Sequence, residues 1–67
     1  MNIYLNDKPT KIEENTSIHS LLRSIHIESF QGIAIGLNDS VIPRNEWESK
    51  FLKENDKVLL IRASQGG

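Results

Sequence analysis

The stretch IAIGLNDSVIPRNEW, residues 33–47, decides the fold that this sequence predicts. It begins with alternating bulky and small apolar side chains, the two-residue period of a strand whose bulky side faces a core. Asn38-Asp39-Ser40 then predicts a turn. Residues 41–44 predict a short strand that Pro43 confines to a sheet edge, because proline has no N–H to donate. Residues 45–50 predict one helical turn.

A hairpin is predicted at the N-terminal side of this stretch. Ile3–Leu5 alternate as a strand, and Asn6-Asp7 tolerates the positive φ angles of a tight turn. Residues 8–13 predict the returning strand, which Pro9 places at a sheet edge.

One helix is predicted between the hairpin and residue 33. Thr16 or Ser17 is its N-cap, since a side-chain oxygen there accepts a hydrogen bond from a free helical N–H. Apolar residues follow at spacings of three, four and seven, which predicts a single stripe that packs on a sheet: Ile18, Leu21, Leu22 and Ile25.

The last strand is predicted at residues 58–62, after a polar turn in which Asn55 is best able to adopt positive φ. The order of elements predicts an α+β fold of the β-grasp type, a mixed sheet of four to five strands with one helix across one face. We expect residues 1–63 to form this domain and residues 64–67 to be a flexible C-terminal tail.

Composition argues against several classes of function. The chain has eight Lys and Arg residues against nine Asp and Glu, for a net charge of −1. The basic residues form no stripe, so no nucleic-acid partner is expected. We expect no signal peptide, because no basic region precedes a long apolar one, and no apolar run comes near the roughly 20 residues of a membrane helix. We therefore expect a cytoplasmic protein with no membrane partner.

Cysteine is absent, which excludes disulfides, thiolate metal sites and thiol nucleophiles. His19 and His26 would stand about 10 Å apart on one helix, too far to share a metal. No metal site, bound cofactor or catalytic residue is predicted. A stand-alone enzyme is the weakest interpretation, because the scattered Ser, His and Glu residues build no nucleophile–base pair.

Three pieces of the sequence together resemble the sulfur-carrier family of thiamine biosynthesis (ThiS), a ubiquitin-like family: Asn38-x-x-x-Ile42-Pro43-Arg44-x-x-Trp47, Asp56-x-Val58 and Gly66-Gly67. The resemblance spans essentially the whole chain and implies a ubiquitin-like β-grasp. The Pro-Arg-x-x-Trp element is the most specific piece, since the related carrier of molybdopterin synthesis usually lacks it. Trp47 is expected to be a core anchor whose N–H needs a partner if buried. Asn55 and Asp39 stand where the family often has glycine, but both tolerate turn geometry.

The resemblance implies a specific chemistry at the C-terminus. An ATP-using, E1-like partner would adenylate the carboxyl group of Gly67, and a cysteine-persulfide donor would convert it into a thiocarboxylate for thiazole synthase. ATP and Mg²⁺ would act in the partner, since this sequence has no phosphate-binding glycine motif. Gly67 is thus the expected covalent attachment site, and Gly66 a spacer that fits a narrow slot because it has no side chain.

A partner interface is predicted on the sheet face opposite the helix. Strand alternation places three apolar residues on that face, Tyr4, Leu59 and Ile61, with Ala34 and Gly36 between them. Arg62 is added to the interface as a residue that helps to seat the tail.

Three further functions stay open from the sequence. The chain could be the small subunit of molybdopterin synthase, or a modifier conjugated through Gly67 to lysines. It could also be a non-covalent β-grasp binding or RNA-associated module, whose function would survive deletion of Gly66 and Gly67.

Overall fold

The described part of the chain, residues 1–63 of the computed structural model, forms a five-stranded sheet and one α-helix. Its elements, in chain order, are β1 (Asn2–Leu5), β2 (Lys8–Lys11), α1 (Ile18–Ser24), β3 (Ile33–Leu37), β4 (Ser40–Val41), a 3₁₀ helix (Arg44–Glu46) and β5 (Lys57–Arg62).

The last strand is the centre of the sheet. The strands lie in the order β2-β1-β5-β3-β4. β5 runs parallel to β1 and antiparallel to β3, so the sheet is mixed. This is the predicted β-grasp, and the strand that leads towards residues 64–67 is hydrogen-bonded on both of its sides.

The core lies between one face of the sheet and the helix. Three of the four residues of the predicted helical stripe are buried, and the fourth, Ile25, is half-buried at the C-cap. Burial of these side chains on the sheet is the main favourable contribution to folding. The buried apolar residues are Ile3, Ile18, Leu21, Leu22, Ile27, Ile35, Leu37, Trp47, Leu52 and Val58.

The start of the helix is fixed by a side chain and by a distant segment of the chain. Ser17 is the N-cap, and its Oγ accepts a hydrogen bond from the backbone N–H of Ser20 at 3.1 Å. The N–H of His19 donates to the carbonyl oxygen of Trp47 at 3.1 Å. The first turn of a helix leaves such N–H groups without partners. Ser17 satisfies one of them locally, and the bond from His19 joins the helix to the segment around Trp47.

Trp47 is a core anchor, as the sequence predicted. Its side chain is 2% exposed, and its Nε1–H donates to the carbonyl oxygen of Ile42 at 2.9 Å. The ring of Phe30 packs against the indole edge-on, with centroids 5.5 Å apart. The indole therefore combines a large buried area with a satisfied polar group.

The predicted strands are wrong at some of their ends. β1 and β5 each begin one residue earlier than predicted, at Asn2 and Lys57. The strand expected at 41–44 is Ser40–Val41, because Pro43 offers no N–H for pairing and instead precedes the 3₁₀ helix, which begins at Arg44 rather than Asn45. The strand expected to run to Glu13 ends at Lys11, the residue opposite the first residue of β1.

The polar turns have the backbone geometry that the sequence predicted. Asn6 and Asp7 have φ angles of 49° and 68°, and Asn38 and Asp39 have 50° and 71°. Asn55 lies at 68°. Asparagine and aspartate adopt this region more readily than other residues with a Cβ, so Asp39 and Asn55 serve in place of glycine.

Candidate functional site

Three large apolar side chains lie on the sheet face that the helix does not cover. Tyr4, Leu59 and Ile61 are 38%, 52% and 51% exposed. The alternation of β5 explains this, because Val58 between Lys57 and Leu59 is buried.

Glycine and alanine on β3 turn this face into a groove of about 500 Å³. Gly36 lies between Leu59 of β5 and Val41 of β4 in the strand register, and Ala34 lies beside Ile61. A Cβ added at Gly36 would meet the Cβ of Leu59 at 3.7 Å, an ordinary contact. The small residues therefore lower the floor of the groove, and the backbone there does not require glycine.

Five of the six predicted interface residues line this groove: Tyr4, Ala34, Gly36, Leu59 and Ile61. Sequence reasoning missed Val41, which is 79% exposed and also lines it. Pairing residue 41 with Gly36 across the turn at 38–40 would have found it, since cross-strand partners share a face.

Arg62 is not part of the groove. It is paired with Ile33 in the register, one residue beyond Ile61, and so belongs to the face on which the helix packs. There it borders a polar depression together with His26, Glu28 and Gln31. The structure thus separates Arg62 from the other predicted interface residues, and its role beside the tail stays a prediction.

The side chain of Asn6 continues the pairing of β5 beyond the end of β1. Its Oδ1 accepts a hydrogen bond from the N–H of Leu60 at 2.7 Å, and its Nδ2 donates to the carbonyl oxygen of the same residue at 3.2 Å. One carboxamide therefore takes the place of a neighbouring backbone unit. Sequence reasoning assigned Asn6 only to a turn, because a contact across 54 residues leaves no local signal.

Asn38 and Asp56, which belong to two pieces of the family pattern, are in direct contact. Nδ2 of Asn38 donates to Oδ1 of Asp56 at 3.0 Å, and Oδ1 of Asn38 accepts from the N–H of Lys57 at 2.9 Å. Oδ2 of Asp56 accepts from the N–H of Lys53 at 2.7 Å. These bonds hold the turn after β3 against the start of β5, so both residues position the groove strands.

The predicted attachment site Gly67, the spacer Gly66 and the rest of the tail at 64–67 lie outside the described residues. Within residues 1–63, no group of three or more His, Cys, Asp or Glu side chains is arranged to hold a metal ion. In the same part of the chain, no helix has the length and apolar character needed to cross a membrane.

Comparison with known proteins identifies the family. Residues 3–67 match the ThiS family. The chain is 27% identical to the sulfur carrier protein ThiS of Escherichia coli K12 over the whole of both chains. It is 30% identical to the uncharacterized protein ycf40 of Porphyra purpurea, over all of this chain and 93% of that one.

The fold agrees with solved structures of the same kind. The crystal structure of thiamine biosynthesis protein ThiS from Geobacter metallireducens matches with a TM-score of 0.85 and 25% identity, over the whole of both chains. An NMR structure of a thiamine biosynthesis protein from that organism gives 0.82, also at 25% identity, over all of this chain and 88% of that one. The family resemblance and the ubiquitin-like β-grasp predicted from the sequence are thereby confirmed: the chain belongs to the ThiS family.

Proposed function

We propose that the protein is a sulfur carrier of thiamine biosynthesis that acts in the cytoplasm and holds sulfur on the carboxyl group of Gly67. The observation that carries this proposal is the family match over residues 3–67, which includes the Gly66-Gly67 pair in a chain without cysteine. A carrier without a thiol needs another atom to hold sulfur, and a carboxyl carbon is the candidate that a C-terminal glycine offers.

The chemistry requires a partner at each step. A carboxylate is a poor electrophile, so an adenylating, E1-like enzyme that uses ATP and Mg²⁺ joins the carboxylate of Gly67 to AMP and releases pyrophosphate. A cysteine-persulfide donor attacks the carbonyl carbon, and AMP leaves. Cleavage of the resulting S–S bond by a second thiol leaves a thiocarboxylate, which gives its sulfur to thiazole synthase. The protein itself is a co-substrate and binds no cofactor.

The groove on the open sheet face is the proposed docking site for the activating partner. Exposed apolar side chains gathered on one face of a small protein commonly mark an interface. Because β5 carries Leu59 and Ile61 and ends at Arg62, a partner seated in the groove binds the strand that precedes Gly66 and Gly67 in the chain. The position of the groove thus couples recognition to the chemistry.

Deletion of the gene tests the pathway. A deletion strain of the source organism is expected to grow only when thiamine is supplied, and the intact chain should restore growth without it. A chain lacking Gly66 and Gly67 should not restore growth. Growth of the deletion strain without thiamine, or rescue by the shortened chain, would contradict the proposal. A growth defect of the deletion strain that molybdopterin relieves and thiamine does not would indicate the molybdopterin-synthase carrier.

Substitution of Ile61 by glutamate tests the docking site. The side chain is 51% exposed, so Ile61→Glu should fold like the parent, whereas burying a carboxylate in an apolar interface is costly. We expect the rate of adenylation at limiting carrier concentration to fall at least about tenfold, which corresponds to about 1.4 kcal/mol.

Phe51→Glu is the matched control for this substitution. Phe51 is 52% exposed, as exposed as Ile61, but it does not line the groove. This variant should be adenylated at the parent rate. If Ile61→Glu, folded by circular dichroism, is also adenylated at the parent rate, the groove is not the docking site.

A further inference from the structure

The dipeptide Asn-Asp occurs three times in the sequence, and the two copies at 6–7 and 38–39 form turns of the same kind. Asn6-Asp7 joins β1 to β2, and Asn38-Asp39 joins β3 to β4; all four residues have positive φ. In both of these turns the asparagine carboxamide accepts a hydrogen bond from an N–H of β5, Asn6 from the β1 side and Asn38 from the β3 side. The position of each aspartate is therefore fixed relative to the central strand.

Both aspartates border the apolar groove. Asp7 and Asp39 line it from opposite sides of β5, and both are exposed. Among residues 1–63, neither carboxylate forms an ion pair within 4.0 Å. Among the described residues, Lys57 is the one cationic side chain that lines the groove. The groove therefore has two negative formal charges and one positive formal charge. The groove thus has an apolar floor and a net acidic rim.

A partner that covers the groove must accommodate these two carboxylates. Partial burial of an unpaired carboxylate costs free energy, and a basic group on the partner offsets that cost. Charges at the rim of an interface also steer the encounter of the two proteins and exclude surfaces of like charge. The rim therefore favours a partner whose apolar contact is bordered by Lys or Arg.

We infer that the groove receives an apolar segment of the activating enzyme flanked by basic side chains, and that Asp7 and Asp39 determine this specificity. The inference rests on the proposed function, because it names the surface chemistry of the partner that adenylates Gly67. Leu59 and Ile61 contribute apolar contact area, and the two carboxylates set the orientation and the rate of association.

Neutralising both carboxylates tests this inference. Asn adopts positive φ as readily as Asp, so the double variant Asp7→Asn/Asp39→Asn keeps both turns unstrained. The measurement is the association rate of each variant with the purified adenylating enzyme of the same organism, at low and at high salt. At low salt the double variant should associate at least about fivefold more slowly than the parent. Near 1 M salt the two rates should become equal, because charges are then screened within about 3 Å.

Two further variants distinguish an effect of the charges at the groove rim from an effect of the net charge of the whole protein. Glu13→Gln/Glu14→Gln removes the same two charges from exposed residues that do not line the groove, and it should associate at the parent rate. Lys57→Gln should associate faster than the parent. An unchanged rate for the aspartate variant, or an equal loss in the glutamate variant, overturns the inference while leaving the proposed function intact. If the parent chain is not adenylated at all, the proposed function itself fails.

Discussion

Appending one alanine after Gly67 is expected to reduce adenylation by the activating enzyme to background while leaving the domain folded. The added residue moves the carboxyl group one peptide unit away from the glycine pair and puts a Cβ where Gly66 and Gly67 have none. In the extended chain the carboxyl group of Gly67 is part of a peptide bond, so Gly67 has no free carboxylate to attack ATP. ATP–pyrophosphate exchange, which reports formation of the acyl-adenylate, measures this loss directly.

Two controls separate the free carboxyl group from a general effect on the tail. Gln65→Ala changes a tail side chain but keeps the chain end at Gly67, and it should be adenylated at a rate close to that of the parent. A chain extended by one alanine before Met1 has the same added mass and should also be adenylated. Exchange at the parent rate by the chain extended after Gly67 would contradict the proposed attachment site.

Replacing Trp47 by alanine is expected to cost about 3–5 kcal/mol of unfolding free energy, because it leaves a large cavity and removes the partner of the Ile42 carbonyl oxygen. A domain of this length has roughly 3–10 kcal/mol in total, so much or all of its stability would be lost. The midpoint of urea unfolding, followed by circular dichroism, measures the change.

The size of this effect should follow the contacts of the indole. Trp47→Phe keeps part of the aromatic packing on Phe30 and loses the hydrogen bond of Nε1, so we expect an intermediate loss. Phe51→Ala, at a half-exposed position, should cost less than about 1 kcal/mol. An unfolding midpoint unchanged in Trp47→Ala would show that the indole is not an anchor of the core.

Local chemistry made much of this fold predictable. The positive φ angles at Asn6, Asp7 and Asn55 follow from residue type, and the buried stripe of the helix follows from its spacing. The exposed face of β5 follows from the two-residue period of a strand. These features depend on residues near one another in sequence, which is why a single sequence predicts them.

Contacts between distant segments were not predictable in the same way. The bonds of Asn6 to Leu60 and of Asn38 to Asp56 join residues 54 and 18 positions apart, and no periodic pattern in the sequence predicts them. Val41 lies in a strand that the sequence predicted, but its face follows from its pairing with Gly36, which alternation within one strand does not give. The alternation of β5 puts Arg62 on the face opposite Ile61, so the separation of Arg62 from the groove follows from the local pattern.

The most direct test of sulfur carriage is mass spectrometry of the C-terminal peptide. The chain, made to end at Gly67, is incubated with ATP, Mg²⁺, its adenylating enzyme and sulfide, then digested and fragmented. We predict that one sulfur replaces one oxygen and that the fragments place it on the carboxyl group of Gly67. Sulfur found on any side chain, or none gained while the enzyme consumes ATP, would contradict the proposed carrier role.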